Sequence, residues 1–387
     1  MFTPSPLQAT SPHDVRDYPD KVRALRISFG AKVSSTFFNQ LPVDSTYMST
    51  AKSKRLDYIE LLRVIALGAV IAFHFFYSAI ARGRTPNVAE SPMMGWAQYG
   101  YLGVELFFMI SGFVMMSSTK NISAGTFLKK RFLRLFPMYW IALIFIFVVS
   151  QFGIWQKPGL IAEDFYYSLT MAPKSFSHEW LDSAHWFLEK QLQFYLIVLL
   201  VLAVRAGKYL PNILTWWAMI GLFWSTFGFE KFGIWYLNGF FALIAGGAII
   251  FSIRESGFNK IRIAGLISSY AWALSSRIDV IPWLDKNRGP GHSALVIGTV
   301  VTFLYLLMLL TLTRAVSRFH LRGIGMAGAI TYPLYLIHNR VGGWAIARFA
   351  SPENQYLVYL LVILILILFA FLILKAESRI MKKLQSK

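Results

Sequence analysis

From residue 56 onward the chain alternates apolar segments of roughly 17 to 25 residues with short polar connectors, a length that crosses about 30 Å of hydrocarbon as a helix. Ten such segments recur, near 58–80, 98–118, 136–153, 185–204, 211–228, 234–252, 263–281, 293–313, 325–349 and 356–374. In lipid every backbone N–H and C=O must find a partner within the chain, so uninterrupted apolar segments of this length read as helices. The expectation is an all-α integral membrane protein of about ten transmembrane helices. Composition agrees: 56% of residues are hydrophobic and 15% charged, against roughly 25% charged in soluble domains. A soluble enzyme is excluded. The absence of cysteine removes disulfides, thiolate nucleophiles and thiolate-held metals. The net charge of +19 is spread between apolar blocks rather than gathered in one patch, so it reads as membrane topology and not as a nucleic-acid surface.

Three regions follow. Residues 1–55 are polar, rich in Ser, Thr and Pro, and carry no signal-peptide run; they read as a poorly ordered cytoplasmic extension. Residues 56–375 form the helical membrane domain, and 376–387 a basic cytoplasmic tail. Orientation comes from Lys and Arg, which cytoplasmic loops retain. With the N-terminus inside, the inner connectors and tail hold 18 basic residues, among them Lys120, Lys129, Arg205, Arg262, Arg314 and Lys375, against seven outside. The outer connectors hold most of the loop acids, including Glu90, Asp164, Asp182 and Asp285. Both termini are therefore expected inside, which also agrees in parity with ten spans.

Chemistry is sought where ionisable groups enter apolar helices, because each costs several kcal/mol there and needs a partner or a wet cavity. The first segment has Glu60, Arg63 and His74. At about 100° per residue, Arg63 and His74 fall within about 20° of one another on the helix, roughly 16 Å apart along its axis. Arg63 is then near the cytoplasmic mouth and His74 near mid-membrane. Glu60 can pair with Arg63 one turn away. Singly, Arg63 could snorkel to headgroups and His74 bond a neighbouring helix. Together on one face, a neutral imidazole can act as general base and the arginine below it can hold an anionic donor.

A second group, Lys130, Arg131 and Arg134, lies at the start of the third segment, in FLKKRFLRLFPMYW. It reads either as positive-inside anchoring or as a phosphate clamp for a nucleotide-bearing donor, since guanidinium groups bind phosphate bidentately. Glu105 and Ser111 interrupt GYLGVELFFMISGFVMM, whose Gly100, Gly103 and Gly112 permit close helix packing. Trp186, Glu189 and Gln193 share a face of the fourth segment. The ninth contains Tyr335, His338, Asn339 and Arg340, with His338 read as the more structural. His178 and His185 flank a loop and are expected to be solvated. No HExxH, P-loop, GxGxxG or GxSxG is present, so metal-dependent chemistry, ATP-driven transport and α/β-hydrolase chemistry lack support.

The ordered set IELLRVIA and FH, GYLGVELFFMISGF, RFLRLFPMYW, WFLEKQLQFYL and TYPLYLIHN resembles the membrane-bound acyltransferase-3 family across essentially residues 56–374. That resemblance implies an integral membrane O-acyltransferase that takes an acyl group, often acetyl, from cytoplasmic acyl-CoA to a glycan, lipid-linked saccharide or other acceptor at the outer face of the plasma membrane. Acyl-CoA is then a co-substrate, with no permanently bound cofactor. The family's Arg-x10-His element falls on Arg63 and His74, its Arg-x-x-Arg element on Arg131 and Arg134, and its acidic positions on Glu60 and Glu105. Catalysis is thereby assigned to His74, Arg63 and Glu60, and donor binding to Arg131, Arg134, Lys130 and Arg63. Glu105, Ser111, Trp186, Glu189, Gln193, Tyr335 and His338 are assigned to the substrate. Gln191 stands where the family commonly has an acid. Aromatic and acidic residues of the outer connector 154–184, among them Trp155, Phe165, Tyr166 and Tyr167, are a candidate sugar contact. The rival reading is a transporter or flippase for a lipid-linked glycan or polar solute. The halves of the chain show no internal repeat.

Overall fold

A computed structural model describes residues 56–152, 158–229 and 238–385 of the protein. The extension 1–55 and Trp155 lie outside these residues. Within them the ordered elements are helices, with no strand. We name α1 (Asp57–Ala81), α2 (Met94–Ser118), α3 (Ala124–Ser150), α4 (Pro158–Ser168), α5 (Ser183–Ala203) and α6 (Leu210–Thr226). They are followed by α7 (Gly239–Ser256), α8 (Lys260–Asp279), α9 (Ile281–Arg288), α10 (Ala294–Leu312), α11 (Ile324–Phe349) and α12 (Gln355–Gln385).

Among the described residues each of the ten apolar segments is helical, and seven helices are long and apolar enough to cross a membrane: α1, α2, α3, α5, α7, α10 and the Gln355–Ile380 part of α12. The chain is a multi-pass membrane protein. Of the other three, α6 has only 17 residues. Helices α8 and α11 carry polar groups, Ser269 and Arg277 in the first and Thr331, His338 and Asn339 in the second, which are buried inside the bundle. Local signals set the ends. Ser123, Asn238, Asn259 and Ser293 each accept a hydrogen bond from a first-turn backbone N–H of α3, α7, α8 and α10. The Ser123 cap starts α3 at Ala124, twelve residues before the apolar segment, so Lys130, Arg131 and Arg134 are helical rather than part of a connector.

Helices α2 and α7 are the centre, with 72% and 78% of their apolar stretches buried against 28–50% for the other spanning candidates. They touch backbone to backbone. A Cβ on Gly112 would lie 1.9 Å from the Ile244 carbonyl oxygen, and one on Gly247 1.9 Å from that of Met109. Helix α1 packs against α2 and α11, α11 against α3 and α12, and α8 against α6, α7 and α10. Since backbone atoms cannot rotate away, Gly112→Ala or Gly247→Ala must force the helices apart, at about 1–3 kcal/mol each. Thermal melting in detergent should show both variants less stable than the parent. Gly68→Ala, which meets nothing within 4 Å, should show no loss.

Candidate active site

Helices α1, α2, α3, α5, α11 and α12 enclose a cavity of about 330 Å³ whose polar lining includes Glu60, Arg63, Ser111, Arg131, Arg134, Gln191, Tyr195, Tyr335 and Glu377. Residues far apart in the chain converge because α11 packs against both α1 and α3. Arg63 Nη1 donates to both carboxylate oxygens of buried Glu60, at 2.9 and 3.0 Å. Glu60 packs so closely on α11 that a Cβ at Gly328 would meet its Oε2 at 2.1 Å. Arg131 is buried, donates to Ser118 Oγ, and has its guanidinium carbon 5.2 Å from the ring centres of both Phe127 and Tyr195. Arg134 is exposed one turn further along, and Lys130 is exposed and absent from the cavity lining.

At the deep end, Phe107, Phe187 and Tyr335 form a triangle of rings with centres 5.8–6.1 Å apart. The Tyr335 hydroxyl donates to the Ala184 carbonyl, and its ring centre is 5.6 Å from that of His338. The His338 ring lies in turn 5.1 Å from His74. His338 Nδ1 is 2.6 Å from the Tyr335 carbonyl oxygen, which can only accept, so Nδ1 carries the proton and the buried Nε2 keeps its lone pair without a partner. His74 is half-buried and opens the one π-helical turn of α1, His74–Ser78. Such turns recur at functional positions. Helix α1 is regular α up to Phe73, so His74 shares the Arg63 face, but it stands beyond the ring triangle and does not line the cavity.

Asp182 organises the adjoining turn. Its Oδ1 accepts from Ala184 N at 2.9 Å and Asn339 Nδ2 at 2.5 Å, and its Oδ2 from Arg340 N at 2.8 Å. Burial works against the Asp182 carboxylate, but His185, the Asn339 hydrogen bond and the Ala184 amide outweigh it and hold the carboxyl below its ordinary range. Arg340 adds bonds to Ser150 Oγ at 2.9 Å and the Leu181 carbonyl at 2.8 Å. The expectation that His185 is solvated is wrong. The Ser183–His185 turn tucks it under α11, fully buried, with Nε2 2.8 Å from the Leu336 carbonyl oxygen. His178 is partly exposed and stacks on Tyr167 at 3.5 Å between ring centres.

Of the remaining predicted residues, Glu105 is buried and accepts from Arg277 Nη1 at 3.0 Å, with Arg277 lying 4.1 Å from the centre of the Phe240 ring. Trp186 packs on Phe240 and Phe108. Gln193 bonds its own-helix neighbours Glu189 and Lys190 and stays outside the cavity, whereas Gln191 lines it with a buried, unpartnered Nε2. The structure thus gathers Glu60, Arg63, Ser111, Arg131, Arg134 and Tyr335, and leaves Lys130, Glu105, Trp186, Glu189 and Gln193 elsewhere. Arg277 was overlooked in the sequence. The signal was present, because an acid such as Glu105 inside a span needs a counter-ion and Arg277 falls inside another.

A polytopic helical bundle with a cationic cavity leading toward a histidine pair, His338 buried and His74 half-buried, is the class these features define. Residues 56–375 match the acyltransferase-domain family, and the chain belongs to that family. It is also similar to the peptidoglycan O-acetyltransferase OatA of Listeria monocytogenes serovar 1/2a, 26% identical over 106 residues. That match covers 26% of this chain and 14% of the length of the relative. No solved structure matches the chain.

Proposed function

We propose that the protein is a plasma-membrane O-acyltransferase that moves an acyl group, acetyl in the first instance, from cytoplasmic acyl-CoA to a hydroxyl of a glycan or lipid-linked saccharide at the outer face. The observation that carries this reading is the convergence of Arg63, Arg131 and Arg134 on one cavity whose deep end is separated from His74 by Tyr335 and His338. Family membership supplies the reaction class, and the match to a peptidoglycan O-acetyltransferase favours a glycan acceptor. Phosphates of the donor sit on Arg131 and Arg134 at the cytoplasmic end, and the thioester arm follows Arg63 inward. Rotation of the Phe107, Phe187 and Tyr335 rings is needed for the acyl carbon to reach His74.

There the acceptor hydroxyl oxygen attacks the thioester carbonyl while an imidazole nitrogen of His74 takes its proton. The C–S bond breaks, the proton passes to the departing sulfur, and an ester and free CoA leave. His338, fixed by the Tyr335 carbonyl, orients the His74 ring, and Glu60 keeps Arg63 aimed along the cavity. The test is mass spectrometry of ester-linked acyl groups on surface glycans, in cells lacking the gene and complemented with the parent chain or His74→Ala. Acyl mass restored only by the parent is the expected result. Loss of the glycan itself from the surface would favour translocation instead.

The clamp has its own test. Charge-assisted hydrogen bonds contribute about 1.5–3 kcal/mol each, so Arg131→Gln with Arg134→Gln should weaken acetyl-CoA binding at least roughly tenfold by calorimetry on the detergent-solubilised chain. An unchanged affinity would move the donor phosphates away from α3.

A further inference from the structure

Arg288 closes α9, on the connector between α8 and α10, away from the Arg131 cavity. Its guanidinium carbon lies 5.2, 5.0 and 5.5 Å from the ring centres of Phe73, Tyr101 and Trp283. The same Phe73 ring touches His74, with centres 5.0 Å apart, so Arg288 and His74 flank one side chain. Among the described residues no acid forms an ion pair with this cation, and Tyr101 and Glu105 favour its charge only through space. Nε and Nη1 are buried without hydrogen-bond partners, which leaves Nη2 as the nitrogen that reaches open space. The available acids are engaged elsewhere. Asp285 binds the His292 backbone N–H at 3.1 Å and ring Nδ1 at 2.8 Å, and Glu105 is held by Arg277.

The surroundings hold Arg288 in place. Tyr99 Oη accepts from Ser293 N at 2.9 Å and donates to the Gly291 carbonyl at 3.3 Å, while Tyr77 donates to that of Gly289. Gly289 has φ +108°, and a Cβ there would press on the Tyr77 hydroxyl at 2.9 Å. A partly desolvated guanidinium with unmet donors is destabilising unless an anion arrives. Ring faces attract the cation but satisfy none of its N–H donors. Burial, and then neighbouring Arg82, push the Arg288 guanidinium down to about 10, which leaves it a cation at neutral pH.

We propose that Arg288 is an acceptor-binding residue across the Phe73 ring from His74, where it takes a carboxylate or phosphate carried by the acyl acceptor. The word acceptor rests on the acyltransferase reading above; the anion site does not. A uronic-acid carboxylate and the phosphate of a lipid-linked sugar offer the same chemistry, and either places a neighbouring hydroxyl toward His74. A bulk lipid headgroup is a poorer fit, because Arg288 is wedged on Phe73 against α1 instead of facing outward.

The test uses the full chain in an uncharged detergent and follows its thermal transition against D-glucuronate, glycerol phosphate and glucose, for the parent, Arg288→Gln and Arg288→Lys. The expected result is saturable stabilisation by glucuronate or glycerol phosphate and none by glucose. Arg288→Gln should weaken that binding at least tenfold, and Arg288→Lys should retain part of it. Whichever anion binds more tightly identifies the source. The proposal is overturned if neither anion stabilises the parent, if glucose does so equally, if only anionic-lipid vesicles do, or if Arg288→Gln binds as the parent does. Acetyl transfer from acetyl-CoA is scored in parallel on glucuronoside and glucoside acceptors. Anion binding with no transfer to either would sink the transferase reading and leave the site standing, whereas transfer with no anion binding would do the reverse.

Discussion

His74→Ala is expected to lower acyl transfer by about 10²–10⁴-fold, the range by which a positioned general base accelerates a reaction, while the chain stays folded and keeps its affinity for acetyl-CoA. The separation follows from the geometry. His74 stands beyond the Phe107, Phe187 and Tyr335 rings and contributes nothing to the cavity lined by Arg63, Arg131 and Arg134. Its neighbours are the rings of Phe73 and His338, so truncation removes no hydrogen bond on which α1 depends. The measurement is a pair of titrations on purified protein, initial rate against acceptor and calorimetric binding of acetyl-CoA. A variant that loses donor binding as well as transfer would place His74 in the donor pocket and remove it from the proton-transfer step. Unimpaired transfer would hand the base to another group, with His338 Nε2 the first to replace, since it is buried with a free lone pair.

Much of this arrangement was legible in the residues alone because a bilayer leaves so few solutions. Apolar length located the ten helical segments, and the eleven-residue spacing of Arg63 and His74 put them on one face because α1 keeps α geometry to Phe73. The three-residue steps Glu60 to Arg63 and Arg131 to Arg134 are local, and helical periodicity is enough to read them. What escaped was every pairing set by how helices meet. Asp182 finds Asn339 and Arg340, and Glu105 finds Arg277, across 157 or more positions that no spacing rule spans. His185 was misjudged for the same reason. A histidine beside a loop is ordinarily wet, and only the docking of the Ser183–His185 turn beneath α11 buries it. Gln191 and Gln193 differ by two residues on one helix, so periodicity places them on different faces without saying which one the cavity receives.

The pair formed by Glu105 and Arg277 should give the largest effect on stability. Both side chains are buried, 2% and 9% exposed, and they meet at 3.0 Å between α2 and α8, against the central α2 and α7 contact. Removing one partner strands the other's charge, so Arg277→Met alone should cost about 3–5 kcal/mol, and Glu105→Leu alone a similar amount. Apolar replacements of both, Glu105→Leu with Arg277→Met, remove the stranded charge together with its partner. Such double changes are often neutral or stabilising by about 1–4 kcal/mol. Thermal melting of the four chains forms a complete cycle. A double variant as unstable as the singles would mean that the two groups act separately. A double variant that is stable yet inactive would be more informative. Glu105 Oε2 is buried with no partner of its own, so the second carboxylate oxygen would then be doing something for the reaction that packing does not require.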